Sequence, residues 1–222
     1  MKLTSSLVSL GDGTLPASFE GLKSHVDMEW VKSALVNTGI AAIRKRKLPV
    51  EQVLWLVIGM ALYRDRPISE VVDRLDLVLP DEYGKKQGIA DSGISNARNR
   101  VGAGPLEELF HVTARQWALK SAERHLWRGL KVLGADGTTL RVPDTRENRE
   151  SFRLPPSSRR SSAYPQVRAV GLMVLRSHLL LDFAFEGFDQ GEGTVARPIL
   201  EQVPDHSLTI LDRYFVDYHL WH

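Results

Sequence analysis

Cysteine is absent from the 222 residues, which excludes a disulfide framework, thiolate metal ligands and a cysteine nucleophile. A dominant charge is lacking too. Lys and Arg total 29 against 27 Asp and Glu, a formal net charge of +2, so attraction to a polyanion has to come from local clusters. No apolar run is long: the richest, Val53 to Tyr63, falls well short of the roughly 20 residues that a membrane-spanning helix needs. The N-terminal MKLTSSLVSLGDG has one early lysine without the apolar stretch of a signal peptide. A cytoplasmic protein with no membrane partner is the expectation. There is no internal repeat, and the only biased stretch is the short LPPSSRRSS. What remains is an ordinary globular balance, 43% hydrophobic and 25% charged residues, enough to bury a core in one or two domains.

From Asp27 to Leu119 apolar residues recur at three- and four-residue spacing, with helix-boundary residues between the runs. Asp27 can cap a helix carrying Trp30, Ala34 and Leu35 that ends at Asn37 to Gly39. Pro49 suits the first turn of the next helix, VEQVLWLVIGMALY, which is apolar nearly all round and so belongs in the middle of a bundle. After Pro67 an amphipathic helix carries Val71, Val72, Leu75 and Leu79. Residues Pro80 to Asp91 read as loop, Ser92 to Val101 as a short helix, and Pro105 to about Leu119 as a longer one.

Beyond Trp127 the period changes. Leu130 to Val142, Gln166 to Leu175, His178 to Phe185 and Ser207 to Phe215 are short, apolar or β-branched, and bounded by turn residues, as strands are. One helical segment, Gly193 to Val203, precedes the last of them. The expected fold is α+β, with a helical domain at 1–126 followed by a domain at 127–222 built in the order β-β-β-α-β. A long Pro- and Arg-rich connection, Asp144 to Pro165, joins the first two strands.

Asp136 follows the apolar run LKVLGA and Asp212 follows LTIL, so each sits in or at the end of an expected strand. A single Asp in such a place is ordinarily a solvated turn residue. Here the order matters: the first acid lies on the opening strand, two strands and a helix intervene, and the second acid ends the next strand. Carboxylates on neighbouring strands suit a hard divalent cation such as Mg²⁺. In a two-metal site, ions roughly 3.5–4 Å apart activate the attacking oxygen and stabilise the leaving one.

This order is that of a ribonuclease H-like fold. The strings GADGTTLRVPDTRENRESF, SSAYPQVRAVGLMVL and LTILDRYFVDYHLW resemble the core blocks of bacterial transposases of the insertion-sequence-four family. IRKRKLPVEQVLWLVIGMALYRDRPISEVVDRL resembles the N-terminal domain of that family. The resemblance implies a DNA-binding role for 1–126 and a partial ribonuclease H-like catalytic domain at 127–222. Asp136 and Asp212 match the first two members of the Asp-Asp-Glu triad, as catalytic residues and ligands of Mg²⁺ or Mn²⁺ in a two-metal site. The implied activity is metal-dependent DNA cleavage and strand transfer. The implied partners are element terminal repeats, target DNA, and a second copy or a full-length transposase, in a bacterial cytoplasm and at the nucleoid when DNA is bound.

The third acid of the family is a Glu in a Tyr-x₂-Arg-x₃-Glu-x₆-Lys pattern well downstream of the second Asp, whereas the sequence ends at His222. A chain truncated before the third acid, and catalytically incomplete, is therefore expected. The alternative is a non-catalytic DNA-binding or inhibitory fragment. A similar pattern at Tyr63, Arg66 and Glu70 precedes Asp136 and has Leu77 in place of Lys, and Glu186, Glu192 and Glu201 lie between the two aspartates, so all are out of order. A metal-dependent nuclease would need Asp182 as its third acid, but Asp182 reads more simply as the solvent-side residue of its strand.

Three basic clusters are candidates for DNA contact. Arg44, Lys45, Arg46 and Lys47 form a cationic run suited to phosphates, or else a solvated face between helices. Arg98 and Arg100, with Ser95, Asn96 and Asn99, lie on the short helix in an order compatible with a helix-turn-helix, and Arg and Asn pair with base edges. Arg159 and Arg160, with Arg149 and Arg153, fall in the long loop after the first strand, either beside the phosphates or as plain basic surface.

Overall fold

The computed structural model describes residues 19–40, 47–80, 83–86, 88–155 and 164–215. The chain divides into two compact units, residues 1–110 and 111–222.

In the first unit, α1 (Phe19–Lys23) precedes α2 (Met28–Asn37), α3 (Val50–Leu62), α4 (Ile68–Arg74) and α5 (Asp91–Val101). α1 was not expected from the sequence. Asp27 caps α2 as anticipated, its Oδ1 accepting the Glu29 N–H at 2.9 Å. Asp27→Ala is expected to cost about 1 kcal/mol, the usual loss at an N-cap, measured as a lower urea midpoint at unchanged slope. The apolar helix α3 is the centre of this unit. Val53, Leu54, Trp55 and Leu56 are all buried in succession, which only a helix covered on every side permits. Gly59 sets the approach of α3 to α4, because a Cβ there would lie 2.4 Å from Leu75 Cδ1 and 3.0 Å from Val71 Cγ1. α5 buries Ile94, Ala97 and Val101 and leaves Ser95, Asn96, Asn99 and Arg100 exposed.

The next helix, α6 (Gly104–Glu123), contains the boundary between the units. The second unit then gives β1 (Lys131–Arg141), α7 (Arg146–Phe152), β2 (Gln166–Val174), β3 (Leu180–Gly187), α8 (Glu192–Leu200) and β4 (Ser207–Leu211). The strands form one sheet in the order β3-β2-β1-β4. β1 runs antiparallel to β2, β2 antiparallel to β3, and β1 parallel to β4. One face is apolar and helix-covered: Leu133, Ala135, Leu172 and Val174 pack in a core with Val195, Ala196 and Ile199 of α8 and Ala118 and Ala122 of α6. No helix among the described residues is long and apolar enough to cross a membrane.

Three local features differ from the sequence reading. The long connection contains α7, capped by the Thr145 hydroxyl, which accepts the Asn148 N–H at 3.2 Å. It buries no residue, so no apolar period announced it; an Arg146–Glu150 pair at 2.8 Å supports it instead. His178 belongs to the turn between β2 and β3, with φ 57°, and not to the strand. The last strand stops at Leu211, and Arg213–Phe215 form a 3₁₀ turn in which the Phe215 N–H donates to the Asp212 carbonyl at 3.0 Å.

Candidate active site

Asp136 lies on β1 where it faces Gly171 of β2, so no side chain opposes it from that neighbour. On the other side, Ala135 pairs with Leu211, the last residue of β4. The next residue on each parallel strand is an aspartate, and the register therefore sets Asp136 beside Asp212. Both are exposed. Asp136 Oδ1 accepts the Gly137 N–H at 2.8 Å. Asp212 is fixed by the turn that follows, since Phe215 is buried to 1% exposure and anchors it. A cleft of about 430 Å³ opens here, lined by both aspartates and by Gly134, Met173, Leu175 and Ile210.

The donor set fits a hard cation in part. Two carboxylates at the rim of an open cleft suffice for Mg²⁺, which keeps several of its waters and takes further oxygens from phosphate. Among the described residues no three of His, Cys, Asp and Glu are placed to hold one metal ion, so the third acid of a complete triad is not found there.

Asp182 corrects its sequence reading. It is buried at 8% exposure and not on the solvent side. Partners in a sheet point the same way, so Asp136, Gly171 and Phe183 share one face and Asp182 lies on the other, under the helices. Its Oδ1 accepts the Phe183 N–H at 2.8 Å and meets His111 Nδ1 of α6 at 3.2 Å. Asp182 is thereby excluded from the cleft of Asp136. Nothing in the alternation of β3 signalled this, because a bulge beside Leu172/Met173 shifts the register and buries Leu181 and Asp182 in succession.

The basic candidates divide. Arg44, Lys45, Arg46, Arg159 and Arg160 lie outside the described residues. Lys47 is exposed and its carbonyl accepts the Leu79 N–H at 2.9 Å. Arg100 is exposed and Arg98 half-buried on α5. The preceding helix α4 ends at Arg74, so the connection to α5 is far longer than a helix-turn-helix turn. Arg149 is engaged by Asp144, Nη2 to Oδ2 at 2.6 Å, and that hydrogen bond holds the Asp144 carboxyl below its ordinary range and raises the guanidinium. Glu70 of the misplaced Tyr-Arg-Glu pattern meets Arg66 at 3.3 Å in the helical unit.

An α+β chain whose sheet runs β3-β2-β1-β4, with an acid on β1 and another directly after β4, has the plan of a partial ribonuclease H-like domain. Residues 16–111 match the insertion element 4 transposase N-terminal family. Over 211 residues the chain is 36% identical to the transposase InsG for insertion sequence element IS4 of Escherichia coli K12, covering 95% of this chain and 44% of InsG. Over 221 residues it is 37% identical to the putative transposase InsZ of the same organism, covering 97% of this chain and 71% of InsZ. No solved structure matches at a significant level. The chain belongs to the IS4 transposase family, and spans less than half the length of one of these relatives and about seven-tenths of the other.

Proposed function

We propose that this chain acts on DNA in transposition, the helical unit contacting element ends and the sheet supplying Asp136 and Asp212 as ligands of Mg²⁺ or Mn²⁺ for phosphodiester cleavage and strand transfer. The observation that carries this reading is the parallel pairing of Ala135 with Leu211, which makes the two aspartates neighbours. A bound divalent ion supplies charge for the scissile phosphate and lowers the pKa of a coordinated water. The chain's own part is to hold that ion on two rigid strands beside a cleft, with Gly171 opposite Asp136 leaving that side clear. Because no third acid joins them among the described residues, the described residues by themselves do not complete the two-metal chemistry. A second copy or a longer transposase of the family is the partner this reading calls for.

DNA contact is assigned to the exposed face of α5, where Arg and Asn side chains have the chemistry of base and phosphate recognition. Fluorescence anisotropy on a duplex bearing the element's terminal repeat tests both halves. Changing Arg98 and Arg100 together to Ala is expected to weaken binding at least about tenfold, given roughly 1–3 kcal/mol for a good bidentate contact. Asp136→Ala is expected to leave affinity measured in EDTA unchanged, and no nicking is expected with either cation. Unchanged affinity of the arginine variant overturns the α5 assignment. Nicking that disappears in Asp136→Ala overturns the expected inactivity.

A further inference from the structure

Glu192 opens α8 and stands over Gly137, the residue after Asp136. A Cβ at Gly137 would lie 2.1 Å from Glu192 Oε1 and 2.6 Å from its Cδ. Glycine at 137 is thus what lets this carboxylate rest against the backbone of β1. The side chain is half-buried, and among the described residues it has no hydrogen-bond or ion-pair partner.

The strand pairing shows what the position can reach. β4 ends at Leu211 opposite Ala135, so from Asp136 onward that edge of β1 has no strand beside it among the described residues. Successive residues of a strand point to opposite faces. Asp136 therefore leaves from the open face, while Glu192 arrives over Gly137 from the helix-covered one. Mg²⁺ keeps several of its waters, so at this edge a carboxylate outside the cleft's own lining can still serve the ion through water. Two carboxylates flanking one peptide unit repel each other, and the half-buried one also loses hydration. The positive end of the α8 dipole offsets part of that cost, and a divalent cation at Asp136 and Asp212 offsets more.

We propose that Glu192 is a positioning residue for the cation of this site, its carboxylate accepting hydrogen bonds from water on the ion. It need not be a direct ligand, in keeping with the absence of a three-acid cage among the described residues. The proposal rests on the metal-binding reading above. It also gives a role to an acid that its place in the sequence, between the two aspartates, had set aside.

Mn²⁺ titration followed by electron paramagnetic resonance, with thermal melts in EDTA, tests it on the whole chain. Glu192→Gln is expected to weaken Mn²⁺ binding about tenfold, the scale for losing a group that supports a metal's ligands. In EDTA the same variant is expected to melt at or above the wild-type temperature, since a repulsion is removed. Glu192→Asp is expected to keep part of the affinity, and Glu201→Gln, an exposed acid just past α8, all of it. Wild-type affinity in Glu192→Gln overturns the proposal, as does a lowered EDTA melt with equal losses in the Gln and Asp variants, which marks Glu192 as a mere helix-start acid. Wild-type protein that binds no Mn²⁺, or binds it regardless of Asp136, overturns the underlying metal site as well.

Discussion

Asp136→Ala is expected to reduce Mn²⁺ affinity by about a hundredfold or more, because a direct ligand should cost at least as much as the 10–100-fold lost with a supporting group. Only two carboxylates line the cleft, so no neighbour among the described residues can take the place of either. Asp212→Ala is expected to behave alike. Neither loss should come from unfolding. Both residues are exposed, and exposed substitutions away from caps and special backbone positions usually stay within about 0.5 kcal/mol. A thermal melt in EDTA that overlays wild type, together with lost Mn²⁺ binding by calorimetry, is the expected pair of results. Retained binding in either variant would place the ion elsewhere.

Trp55→Ala is the substitution expected to damage the helical unit most. Trp55 is wholly buried at the centre of α3, between Leu54 and Leu56, which are equally buried, and such a truncation typically costs about 3–5 kcal/mol through lost burial and the cavity left behind. Against a total stability of roughly 5–15 kcal/mol, that is enough to populate unfolded helices at moderate temperature. The sheet has its own core, built on Leu133, Leu172, Val195 and Ile199. DNA affinity is therefore expected to fall with the helical signal, while Mn²⁺ binding at Asp136 and Asp212 persists. Circular dichroism and metal titration on the same sample check this, and simultaneous loss of both would contradict separate cores.

The contrast between α3 and α7 shows what a sequence discloses. α3 was readable because the unbroken apolar run from Val53 to Leu62 has few options in water other than a central helix. α7 was not readable, because it buries nothing and stands on a cap and ion pairs between residues that look like loop. The sheet followed from short apolar runs between turns, and its order made neighbours of two aspartates distant in sequence. Family likeness had already pointed to those two. Side-chain surroundings were less accessible: alternation put Asp182 in solvent, whereas a bulge buries it against His111. The closeness of Glu192 to Gly137 depends on where α8 crosses β1, and no local pattern encodes that. Ile94, Ala97 and Val101 fix which side of α5 is buried, and that leaves Arg100 exposed but Arg98 half-buried beside the stripe.

Whether Asp136 and Asp212 share one cation can be read from metal-directed backbone cleavage. Fe²⁺ in place of Mg²⁺, with ascorbate and peroxide, generates radicals that cut the polypeptide next to the bound ion, and the fragments are mapped by mass spectrometry. Two clusters of cuts are expected, one around Asp136 on β1 and one around Asp212 after β4, both suppressed by excess Mg²⁺ and both lost in Asp136→Ala. Cuts at only one of the two strands, or at sites indifferent to Asp136, would contradict a shared cation.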